Sequence, residues 1–192
     1  MPGKVVAAEP DARMRAVLVR RVPDMSAVGA RAEALPFADE SFDAVAVSSA
    51  WHWMDLALTV PEAARVLRPG GRLGVLWNGP ARDVGWVAEL LGPSRERVGA
   101  VSDHAKRHRV ELPPDAPFTT LETTVITWSM PMTRDELVGL ASTYSAVITR
   151  PAEERAEILR RVEKLVIDHA GFGNGTTVQL PMRCRCWRVT RS

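Results

Sequence analysis

Residues 64–78 read ARVLRPGGRLGVLWN, and this stretch decides the fold class. Its opening residues close a helix that keeps Val60, Ala64 and Leu67 on one face, and Pro69, Gly70 and Gly71 then stop that helix. The two glycines suit a turn that must take positive φ better than a phosphate cradle. From Arg72 the chain runs apolar to Asn78 as a strand of the buried kind. A helix that passes through a short turn into such a strand is one repeat of a parallel sheet covered by helices.

Upstream, the same alternation continues. Val5 to Ala8 form a short apolar strand ending in Glu9 and Pro10. Asp11 suits an N-cap for a helix carrying Met14, Val17, Leu18 and Val22 on one face, which Pro23 stops. Residues 26–28 read as a short strand, and ALPFADESF (34–42) is a loop. It delivers the chain into AVAVSSA from Ala44, a second buried strand with Phe42 and Asp43 at its entrance. Thr59 and Glu62 are spaced as a capping box for the helix that ends at Leu67, with Pro61 in its first turn.

Downstream, residues 92–120 lack a clear period and read as a surface excursion, partly helical around Glu96 to His108. LETTVITWSM (121–130) is strand-like, Thr133 and Glu136 form a second capping box for a helix through Leu140, and Pro151 opens a longer helix to about His169, closed by Gly171. TVQLPMRCRCWRV (177–189) reads as a last strand near a sheet edge, with Pro181 at a bulge or edge position. The arginines at 183, 185, 188 and 191 read as a device that keeps this edge from pairing with neighbours. The expectation is one α/β domain over 1–192.

A chain of 192 residues that is 46% hydrophobic can bury a real core. Lys+Arg 25 against Asp+Glu 23 lacks the positive bias of a phosphate-tracking surface, so nucleic acid is not an expected partner. No apolar run approaches the roughly twenty residues of a membrane span, and no signal peptide opens the chain. Two closely spaced cysteines, Cys184 and Cys186, make no secreted disulfide framework, so the expected compartment is the cytoplasm.

Four blocks in order carry a resemblance: VVAAEPDARM (5–14), ARAEALPFADESFDAVAV (30–47), SAWHWMD (49–55) and ARVLRPGGRLGVLWN (64–78). Together they resemble the C-terminal three quarters of a class I methyltransferase of the type 11 kind. The resemblance implies a Rossmann-like sheet with helices on both faces and an antiparallel last strand. It implies S-adenosylmethionine as cofactor and a small molecule as methyl acceptor. It also implies that the family's first strand and glycine-rich cofactor loop are missing from the given sequence, since nothing before Val5 matches them. Facing edges left unpaired by that strand would allow two chains to associate.

The resemblance implies that Glu9 takes the ribose hydroxyls, and a carboxylate at the end of a parallel strand has the chemistry for it. On position alone, Glu9 reads equally as a solvated acid or as a helix cap beside Asp11. The family's acid toward the adenine amino group falls at Arg31 here, so the Ala32 backbone N–H remains for the ring, and Glu33 either substitutes for that acid or is an exposed loop carboxylate. Trp51, His52 and Trp53 lie where donor and acceptor meet, the indoles as a wall suited to a sulfonium and His52 as a general base or a packed imidazole. Asp55 in the same loop reads as a helix cap. Trp77 and Asn78 end the next strand, either lining the acceptor side or serving as a packed indole and a turn residue. The leading function is methyl transfer; the alternative is a non-catalytic remnant or interaction module that has lost cofactor binding.

Other signals carry less. GFGNG (171–175) has cofactor-loop glycines, but it follows a helix and leads into a strand, the reverse of a true cofactor loop. His104 and His108, and the cysteine pair, lack further ligands in metal spacing, so no metal is expected.

Overall fold

The computed structural model describes residues 4–92, 109–168 and 177–192, which belong to two compact units. One takes Met1–Leu76, Arg109–Thr124 and Cys186–Ser192, the other Trp77–His108 and Val125–Arg185.

The first unit opens with β1 (Val6–Ala8), α1 (Ala12–Arg21) and β2 (Ser26–Val28). β3 (Phe42–Ser48), a 3-10 turn (Trp51–Trp53), α2 (Leu56–Val66) and the start of β4 (Leu67–Pro80) follow. β1 and β2 pair in parallel, with Ala8 opposite Val28, and β3 pairs in parallel with β4, with Ser48 opposite Leu76. Asp11 caps α1 by accepting the Arg13 N–H, and Val22 ends it ahead of Pro23. Gly70 has φ 77°, and a Cβ on Gly71 would sit 2.8 Å from the Arg68 carbonyl oxygen. The corner therefore needs both glycines. The corner stays within β4 as a bulge: Phe42 faces Leu67, yet Ala44 already faces Arg72. Val60, Ala64 and Leu67 are buried on the shared face read from the sequence.

Four expectations for this unit need correction. The apolar runs at β1 and β3 are not buried strands: β1 has no buried residue and β3 only Val47. Met14 and Val17 of α1 stand 58% and 41% exposed. Apolar sequence states a demand for cover, and packing decides whether it is met. Thr59 and Glu62 make no capping box. Asp55 starts α2 by accepting the Ala57 N–H, so Thr59 falls inside the helix with its hydroxyl buried and unpartnered. Phe42 and Asp43 belong to β3 itself.

β4, β5 (Glu122–Thr133) and β6 (Thr177–Thr190) each run from one unit into the other, and the four-stranded ladder has the order β3-β4-β6-β5. β1 and β2 form a separate two-stranded ladder. The last strand is thus not an edge: β6 lies between two neighbours, and β5 takes the outer place. Nor do its arginines fend off neighbours. Arg183 pairs with Asp83, Arg188 with Glu122 and Arg191 with Glu40, their charges carried off the strand on long apolar stems.

In the second unit, α3 (Gly85–Leu91), α4 (Arg134–Ser142), α5 (Ser145–Ile148) and α6 (Ala152–Asp168) build an aliphatic core. Leu137, Val162 and Leu180 are among its fully buried members. The capping box at Thr133 and Glu136 is present. No helix among the described residues is long and apolar enough to cross a membrane. His104, His108, GFGNG and part of the 92–120 excursion lie outside the described residues.

Candidate active site

Each candidate in the first unit follows the carboxyl end of a parallel strand. Glu9 comes directly after β1, and its N–H reaches the Val28 carbonyl at 3.1 Å, so the β1–β2 pairing fixes its backbone. Its Oε1 accepts the Asp11 N–H at 2.9 Å, while its Oε2 takes no bond among the described residues. Arg15 donates to the Glu9 and Pro10 carbonyls at 2.8 and 2.9 Å, tying this strand end to α1.

After β2 the chain makes a tight turn closed by Ala34 N–H to the Arg31 carbonyl at 3.2 Å, with Ala32 and Glu33 at its centre. The Ala32 N–H has no partner among the described residues. Glu33 is engaged: Oε1 accepts the Asp55 N–H at 3.1 Å, and Arg31 lies 3.3 Å from Oε2. The Asp55 N–H, with the Arg31 guanidinium beside it, holds the Glu33 carboxyl below the usual carboxylate range.

After β3, Ser49 takes φ 54° and donates its N–H to the Leu76 carbonyl at 2.8 Å. A non-glycine residue in that region costs on the order of 1 kcal/mol and persists only where its surroundings hold it. It turns the chain into Trp51–Trp53. Trp51 is 2% exposed and its indole N–H has no partner among the described residues, whereas Trp53 is 77% exposed. The His52 ring lies 4.7 Å from the Trp53 ring, tilted by 43°. Asp55 caps α2, as the sequence indicates.

Trp77 and Asn78 belong to the second unit. Trp77 is buried, and the exposed Asn78 accepts the Trp128 indole N–H at 3.2 Å. Within the first unit, the fold joins Glu33 to Asp55 and His52 to Trp53.

Sequence reading gave Glu62 only a capping role and passed over Arg65. Glu62 accepts the Leu35 N–H at 2.6 Å and two N–H groups of Arg65 at 2.8 Å each. Arg65 goes on to the Leu35 and Phe37 carbonyls at 3.1 and 2.8 Å and to Asp39 at 2.6 Å. The Arg65 guanidinium, helped by the Leu35 N–H, depresses the Glu62 carboxyl, and Glu62 and Asp39 raise Arg65 in turn. The i, i+3 spacing of Glu62 and Arg65 was the available signal.

Residues 1–75 match the family model described as "Methyltransferase domain". The chain is 41% identical over 186 residues to an uncharacterized methyltransferase of Mycobacterium tuberculosis, covering 97% of this chain and 74% of that protein. It is 28% identical over 168 residues to an uncharacterized methyltransferase of Schizosaccharomyces pombe, covering 86% and 65%. A solved structure of the methyltransferase fold from Anaeromyxobacter dehalogenans aligns with a TM-score of 0.63 at 24% identity, covering 98% of this chain and 80% of that one.

Proposed function

The chain belongs to the methyltransferase domain family with the class I Rossmann-like fold, and from that premise we propose that it moves the methyl group of S-adenosylmethionine to a small-molecule acceptor. The observation that carries this reading is the succession of Glu9, Ala32 and Trp51–Trp53 after the carboxyl ends of β1, β2 and β3, where open parallel sheets take ligands. The donor set fits the cofactor. Glu9 keeps one oxygen for a ribose hydroxyl, and Ala32 keeps a backbone N–H for the adenine ring.

When bound, S-adenosylmethionine supplies a sulfonium methyl open to in-line displacement. The chain's own residues supply position and environment. Glu9 holds the ribose end while Asp11 fixes the rotation of its carboxylate. Exposed Trp53 offers an electron-rich ring face to a cation. Exposed His52, braced by the Trp53 ring, takes the proton of a hydroxyl or amine acceptor. The Glu33 carboxylate, already shared between Asp55 and Arg31, would meet the adenine amino group only as a third partner.

Calorimetric titration of the natively produced protein with S-adenosylmethionine tests the proposal. Saturable binding is expected, and Glu9→Ala should weaken it by about 1 to 3 kcal/mol, the scale of a charge-assisted hydrogen bond. Absence of any binding would favour the non-catalytic interaction module instead.

A further inference from the structure

Among the described residues, the loop that presents Ala32 pairs with no strand, so its backbone groups must find their bonds elsewhere. They find them on α2. Every second residue from 33 to 39 is fastened to that helix or its cap. Glu33 bonds the Asp55 N–H, Leu35 bonds Glu62 through its N–H and Arg65 through its carbonyl, and the Phe37 carbonyl and the Asp39 carboxylate both bond Arg65. The Glu40 N–H then bonds the Arg65 carbonyl at 2.9 Å.

We propose that Arg65, oriented by Glu62, is the positioning residue of the cofactor loop: it fixes the turn that aims the Ala32 N–H and thereby sets recognition of the base. The inference rests on the methyl-transfer reading above. Arg65 touches no cofactor atom in this account. It acts through Leu35, which directly follows the closing residue of the Arg31–Ala34 turn and is held at both its N–H and its carbonyl. A planar guanidinium can serve Glu62, two carbonyls and Asp39 together, whereas an ammonium on a flexible stem cannot hold that geometry. Because the side chain remains 34% exposed, the buckle is built at the surface and gains its rigidity from the number of bonds rather than from burial.

The test uses two probes, S-adenosylhomocysteine and its analogue with hypoxanthine in place of adenine, titrated against wild type, Arg65→Lys and Glu62→Gln. Wild type should prefer the adenine probe. Both variants should bind it about tenfold more weakly, the worth of one charge-assisted hydrogen bond, and their preference over the hypoxanthine probe should shrink. Amide exchange should quicken at Ala34 and Leu35 while α4 and α6 keep wild-type protection. An equal loss for both probes, or no loss, would overturn the positioning role and leave the methyl-transfer reading standing. Wild type that binds neither probe would overturn both.

Discussion

Trp53 and Trp51 sit two residues apart in one turn with opposite surroundings, 77% exposed against 2%. Trp51 is part of the packing, and its replacement would confound folding with function. Trp53 is not, so it reports on chemistry: Trp53→Ala should leave the melting temperature nearly unchanged and should lower kcat by a larger factor than it raises cofactor Kd, as expected of a residue that faces the acceptor. Steady-state kinetics beside calorimetry check this, and equal losses in both quantities would move Trp53 to the cofactor. At this scale, residue type was legible, as at Asp11, Asp55 and Gly70. Partners were not, because Glu33, Glu62 and Arg65 meet groups chosen by the path of the loop between β2 and β3.

At the scale of elements, the same spacing of Thr and Glu occurs twice with different outcomes. At Thr133 and Glu136 the box forms: the Glu136 N–H reaches the threonine hydroxyl at 3.2 Å and the Thr133 N–H reaches the Glu136 carboxylate at 2.7 Å. At Thr59 and Glu62 it does not, since Asp55 has already begun the helix and Leu35 claims the glutamate. Thr133→Ala should accordingly cost about 0.5 to 2 kcal/mol in urea denaturation, with the m-value unchanged. A smaller loss would show that α4 is held by the packing of Leu137 and Ala141 with little help from its cap. Strand order shows a similar limit. The arginines of β6 read as an edge device, yet charges on long apolar stems leave an interior strand as readily as an edge one.

Across the whole molecule, ionic fastening and apolar packing hold different parts. The loop of the first unit is fastened by Glu33 and Glu62, whose carboxyls are both depressed in the folded chain, whereas the core of the second unit is aliphatic. A depressed carboxyl contributes stability that is fully present above its unfolded value and is lost as pH falls through its folded value. Lowering the pH below the usual carboxylate range should therefore free the amides of residues 34 and 35 before those of α4 and α6, read by hydrogen exchange corrected for intrinsic rates. Glu62→Gln should flatten the response. Simultaneous release of both regions would mean that the ionic fastening is not separable from the core. By itself, the sequence determined the order of elements, the caps at Asp11, Asp55 and Thr133, the glycine corner and the family, because each rests on local backbone chemistry or on patterns a few residues long. Only the tertiary structure decided which apolar runs are covered, which strand takes the edge and which side chains fasten the loop carrying Ala32, because burial and pairing depend on segments that meet in space from distant parts of the chain.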